Sequence, residues 1–157
     1  MGSSTVVTHL ILFIAVLGIA TGLIITVKNY IDQTEGTFKE KSNDNDLIIK
    51  TNIKIEVISY NNNTNTTWIY VRNTGQSAMK PAQIDMYIDG IRLYRDNTNR
   101  TIELLLDTDL INVGIWDPKE QLLIKAFKFL NNTITHEVII ATPYSVSDSE
   151  TFSIWFQ

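Results

Sequence analysis

The chain has 157 residues, no cysteine and a formal net charge of -4, with its basic residues scattered singly. Such an acidic chain offers no cationic surface, which excludes nucleic acid as a partner, and the absence of cysteine excludes a disulfide framework, a thiolate metal site and a Cys nucleophile. Setting aside an apolar leader and a linker leaves about 110 residues, enough for one domain with its own core.

The first predicted element is the run Val6 to Val27, VVTHLILFIAVLGIATGLIITV, which contains no Asp, Glu, Lys or Arg. At a rise of about 1.5 Å per residue it is as long as the hydrocarbon core of a bilayer is thick. In lipid every backbone N–H and C=O needs a partner within its own segment, so the run reads as a membrane-spanning helix, and residues 1–27 as an anchor. A cleaved secretory signal would want a basic lead and a shorter apolar core, and residues 1–27 hold no Lys or Arg. A buried soluble helix rarely goes so long without a charge. His9, one turn inside the run, reads as an interfacial residue. Ala15, Gly18 and Gly22 put small side chains on one face, the spacing at which two helices approach closely in lipid.

Lys28 to Asp46 brings mixed charge abruptly. Tyr30, Ile31, Thr34 and Phe38 keep near-helical spacing, so residues 28–46 read as a helical extension or linker, with a break expected at Asn43-Asp-Asn-Asp46.

From residue 47 the period becomes two. Ile53, Ile55 and Val57 alternate with Lys54 and Glu56 as a half-buried strand, and Trp68–Arg72 is a second. The polar stretch Asn61–Thr67 between them is expected at a hairpin tip, and Asn73-Thr-Gly75 forms a closing turn. Ile84–Arg95 carries Asp89-Gly90 between two apolar arms, the signature of a type I′ hairpin. Thr101–Leu106 and Leu110–Trp116 are expected as strands, followed by a turn at Asp117-Pro118 and a second hairpin joining Gln121–Leu130 to Ile134–Ala141. The last expected strand is Thr151–Phe156, TFSIWF. Eight or nine short strands without an intervening helix predict an all-β head over residues 47–157, an immunoglobulin-like antiparallel β-sandwich.

Little in the sequence suggests chemistry. The two histidines, His9 and His136, make no His-x-x-x-His or Glu-x-x-His spacing, and no phosphate-binding or nucleophile-elbow motif is present, so neither an enzyme, a cofactor nor a metal site is expected. Asp107-Thr-Asp109 and Asp44-Asn-Asp46 are acidic pairs that match no calcium loop. Association features are more prominent. In TFSIWF, Phe152, Ile154 and Phe156 alternate with Ser153 and Trp155, so an aromatic on an edge strand is expected to remain available for strand-to-strand assembly. Trp68, Trp116, Trp155 and the Tyr residues on strands are expected mostly in the core. Four N-x-[ST] sequons, at Asn62, Asn65, Asn99 and Asn131, fall in expected turns and are candidate glycosylation sites on an outside surface.

With its leading SSTVVTHLILFIAVLGIATGLI and downstream WIYVRNTGQSAMKPAQIDMYIDGIRLY, the chain resembles archaellum accessory proteins of the archaellin-related FlaG/FlaF type, FlaG more than FlaF. In that family an apolar helix precedes a β-sandwich with an N-T-G turn and a D-G hairpin. The resemblance implies a non-enzymatic stator component. Its helix would sit in the cytoplasmic membrane and its sandwich in the pseudoperiplasm. It would form a homo-oligomer or filament, meet another archaellum accessory protein, and link the membrane to an S-layer protein. An archaellin or pilin-type filament subunit and a membrane-tethered binding module are the alternatives.

Overall fold

The computed structural model describes residues 2–109, 111–131 and 134–154, with side chains from Thr5 onward. Two compact units divide at Asn43/Asp44. The first consists of helix alone. Helix α1 spans Gly2–Lys50, and its stretch from Thr5 is long and apolar enough to cross a membrane by length and composition. Within this unit, a single helix, the apolar side chains from Val6 to Val27 are all exposed. The hydroxyls of Thr21 and Thr26 donate to the carbonyls one turn back, Leu17 O and Gly22 O, which satisfies them inside the helix.

No break occurs at Asn43–Asp46, and Gly36 does not interrupt the helix either. A solitary glycine costs only about 1 kcal/mol in a helix interior. Asp46 pairs with Lys50 one turn on at 2.6 Å, an i,i+4 contact that supports the last turns. The helix end belongs to the second unit and finds its partners there. Lys50 O accepts from Gln76 N at 2.6 Å and Ser77 N at 3.2 Å, and Thr51 Oγ1 donates to Leu47 O. Carbonyls left over at a helix end are thereby satisfied.

The second unit is an antiparallel β-sandwich of the immunoglobulin-like kind. Its strands are β1 (Ile53–Asn61), β2 (Thr66–Asn73), β3 (Asp85–Ile88), β4 (Ile91–Leu93), β5 (Arg100–Leu104), β6 (Gln121–Phe127), β7 (Thr135–Ala141) and β8 (Ser147–Ser153). One sheet runs β1-β2-β6-β5 and the other β4-β3-β7-β8. Ile53, Ile55, Ile69, Val71, Leu122 and Ile124 from the first sheet meet Met86, Ile88, Val138 and Ile140 from the second in a single core, with Trp116 fully buried among them.

The hairpin of β1 and β2 has the expected tip, with Asn61 opposite Thr66. A register shift between Ile55 and Val57 breaks the alternation, so Val57 faces outward while Ile58 and Tyr60 pack on the core. This is the action of a β-bulge: one extra residue reverses the side on which the rest of the strand points. Asp89 and Gly90 both take positive φ, 54° and 74°, between Ile88 and Ile91, the type I′ geometry their residue types predict.

Two expected elements differ. Residues 111–115 form turns and bends rather than a strand, Trp116 makes an isolated antiparallel bridge to Met79, and Leu110 lies outside the described residues. Side chains there replace a ladder: the Asp117 carboxylate accepts from Asn112 N and Nδ2, and Asp109 Oδ2 accepts from Gly114 N. Strands β6 and β7 do not form a hairpin, because β6 pairs with β2 and β5 while β7 pairs with β3 and β8. The connection crosses from one sheet to the other, so each strand serves a separate layer of the core.

Candidate functional site

Among the described residues no group of three His, Cys, Asp or Glu gathers in metal-binding geometry. Asp109 is used to shape its loop through Gly114, and Asp46 is paired with Lys50. His9 lies in α1 with its Nδ1 2.7 Å from Thr5 O.

On α1, Ala15, Gly18 and Gly22 are exposed along one side. A Cβ added at Gly18 or Gly22 meets nothing within 4 Å beyond the helix's own backbone. Neither glycine is therefore required by the packing of this chain.

The last described strand, β8, is the edge of its sheet. Phe152 and Ile154 are half-buried and pack on the core, with the Phe152 ring 5.8 Å from that of His136. Trp155 and Phe156 lie outside the described residues. Part of this edge is already occupied within the chain: Asp148 Oδ2 accepts from Ile55 N at 2.7 Å, tying β8 to the neighbouring edge strand β1.

Trp116 is in the core as expected, its Nε1 donating to Glu120 O at 2.9 Å. Trp68 is not: it stands 40% exposed on the outer face of its sheet, with Lys125 Nζ 6.0 Å from the ring. Its cross-strand partner across β2 and β6 is Lys125 itself, and the inward positions are taken by Ile69 and Ile124. An exposed aromatic over a lysine makes a modest cation–π contact.

Of the sequon asparagines, Asn62, Asn65 and Asn131 are exposed. Asn65 takes a positive φ of 50° in the hairpin tip, and its Oδ1 accepts from Tyr60 Oη. Asn99 is half-buried and its amide Nδ2 donates to both carboxylate oxygens of Asp96, at 2.8 and 2.9 Å. The nitrogen a glycan would occupy is thus already engaged at Asn99.

The sequence patterns did not single out Asn73 and Gly75 beyond a turn. Asn73 is fully buried; its Nδ2 donates to Ser77 O and Trp116 O, and its Oδ1 accepts from Gly75 N. Gly75 lies against the backbone of residues 50–52, where an added Cβ would sit 2.4 Å from Asn52 N and 2.5 Å from Lys50 O. The turn thus seats the chain as it leaves α1.

The described residues thus form an apolar helix long enough to cross a membrane, followed by an immunoglobulin-like β-sandwich. No family model matches the chain. It is similar to an uncharacterised protein of Archaeoglobus fulgidus, 26% identical over 98% of each chain. Among solved structures it is similar to the archaellum periplasmic stator protein FlaG from Sulfolobus acidocaldarius, with a TM-score of 0.52 and 17% identity over 65% of this chain and 99% of that one. It is also similar to the archaeal flagellum of Methanospirillum hungatei strain JF1, with a TM-score of 0.59 and 10% identity over 98% of this chain and 94% of that one. The fold is therefore one found in archaellum proteins.

Proposed function

We propose that this protein is a non-enzymatic, membrane-anchored and self-associating stator component of an archaellum motor, FlaG-like in kind. Residues 1–27 anchor it in the cytoplasmic membrane, residues 28–46 act as a spacer, and the sandwich of residues 47–157 stands in the pseudoperiplasm. There it meets another archaellum accessory protein and an S-layer protein. The carrying observation is the pairing of a helix long and apolar enough to cross a membrane with a sandwich whose fold matches nearly all of the stator protein. An apolar helix of this length suits lipid or the company of other helices. Ala15, Gly18 and Gly22 form the helix-packing face; Phe152, Ile154, Trp155 and Phe156 form the assembly edge; Asn62, Asn65 and Asn131 are the sequons best placed to carry glycans.

A filament subunit is the second reading, favoured by one observation: the flagellum likeness covers 98% of this chain, helix included, against 65% for the stator protein. Cross-linking of the full chain in native cell envelopes separates the two. Adducts with an S-layer protein support the stator, adducts with filament subunits along isolated filaments support the alternative, and neither adduct removes both. Self-association is tested by light scattering of the full chain in detergent. Gly18→Ile with Gly22→Ile is expected to lower the oligomer mass, and because those positions touch nothing in the monomer, an unchanged mass refutes the packing face.

A further inference from the structure

One guanidinium in the sandwich lacks a counter-charge of its own. Arg100 opens β5 and is 3% exposed, and its Nη2 donates to Ile84 O at 2.6 Å. Its Nη1 is buried with no hydrogen-bond partner among the described residues. A buried charge without a partner is costly, so an arginine in this condition calls for an explanation. Burial also pulls its pKa down, against the pull of the nearby carboxylate of Asp85.

The carboxylates around it are committed elsewhere. Asp85 is held by Arg95, through Nε and Nη2 at 3.0 and 2.9 Å, and by Arg92, through Nη2 at 2.8 Å. Asp96 accepts from Thr98 N, Asn99 N and Asn99 Nδ2 within its own turn. Three guanidiniums, Arg92, Arg95 and Arg100, thus face two carboxylates, leaving one positive charge in an otherwise acidic chain. Beside them is a cleft of about 360 Å³ whose wall includes Arg95 and Arg100 together with Pro81, Ala82 and Ile102.

We propose that this cleft binds a carboxylate, its charge met by Arg100 and Arg95 and its alkyl portion resting on Pro81, Ala82 and Ile102. A guanidinium N–H makes a charge-assisted hydrogen bond to a carboxylate, and Nη1 of Arg100 is the group left for one, Nη2 being held by Ile84 O and the Nε–Nη2 edge of Arg95 by Asp85. One surplus positive charge is neutralised by a monoanion and overshot by a phosphate dianion, which favours the carboxylate. Its source is either a free small carboxylic acid or an Asp or Glu side chain of a second copy.

The test uses the full chain in detergent with sodium propionate as probe, against sodium chloride at equal ionic strength. Propionate is expected to raise the thermal unfolding midpoint in proportion to the logarithm of its concentration. Arg95→Gln, an exposed position, is expected to weaken propionate binding by about tenfold, as for losing one charge-assisted hydrogen bond. Arg100→Gln is expected to abolish it. Should Arg100→Gln fail to fold, Ala82→Glu supplies the second check: a carboxylate built into the wall occupies the site, so the variant no longer responds to propionate. Light scattering separates the sources, since propionate dissociates oligomers only when a second copy supplies the group. Equal midpoints in propionate and chloride for the unaltered chain, or an Arg95→Gln response identical to it, overturns the proposal.

Discussion

His136 Nδ1 lies 2.9 Å from Asp89 Oδ2, and its Nε2 lies 2.7 Å from Asn131 O, so both ring nitrogens of a side chain only 2% exposed face acceptors. Asp89 also accepts from Glu137 N through Oδ1 at 3.1 Å. Burial raises the carboxyl's pKa, but the bonds from His136 and Glu137 N outweigh it and hold it below the ordinary aspartate value. The turn that closes β3 onto β4 is therefore latched to β7 by its own first residue.

Asp89→Asn removes the charge that faces the imidazole and is expected to destabilise the sandwich by about 1–3 kcal/mol, as for a buried group losing a charged partner. Denaturant unfolding of the full chain in detergent checks this. A change below about 0.5 kcal/mol would show that the latch does not bear on stability.

Gly75→Ala places a methyl 2.4 Å from Asn52 N and 2.5 Å from Lys50 O, both backbone atoms with nowhere to retreat. The expected cost is about 2 kcal/mol or more, in the range of overpacked sites. Gly90→Ala is a useful comparison, because a Cβ there meets nothing and only its φ of 74° resists. It is expected to cost about 1 kcal/mol.

Trp116→Ala is expected to cost about 3–5 kcal/mol, because the indole is fully buried and its Nε1 bonds Glu120 O. Trp68→Ala, at an exposed position on the outer face, is expected to cost under about 1 kcal/mol. Unfolding midpoints of the two variants separate the core, where Trp116 lies, from the outer face of the first sheet, where Trp68 lies, and similar losses would contradict that placement.

Hydrogen bonds from Arg95 and then Arg92 hold the Asp85 carboxyl below its ordinary value despite partial burial. A depressed folded pKa stabilises the native state above the unfolded value, and that contribution is lost as pH falls through the folded value. Asp85→Asn is therefore expected to lower the unfolding midpoint at neutral pH and to flatten its decline below about pH 4. A parallel decline in both proteins would show that Asp85 does not drive the acid limb.

What the sequence reveals here follows from how local each cause is. The long apolar helix and the Asp89-Gly90 turn are legible because length, apolarity and positive φ are properties of a few adjacent residues. The alternation in β1 points to Ile53 and Ile55 correctly and then to Val57 wrongly, because a bulge is a matter of pairing with β2. Leu122, Leu123 and Ile124 in sequence give no hint that β6 and β7 belong to different sheets, since partner choice is made by the whole core. The helix persists through Asn43–Asp46 although its composition suggests a stop, since its end is satisfied by residues 76 and 77, far along the chain. The acceptor shortage at Arg100 and the close approach at Gly75 are likewise invisible without neighbours distant in sequence.

The bond from Ile55 N to Asp148 Oδ2 places a negative charge across a strand border that would otherwise offer an open amide. A foreign polypeptide trying to zip onto that margin meets a carboxylate where it needs a carbonyl of its own. The seam thereby guards against runaway templating and confines any orderly joining of copies to borders that lack such a stopper.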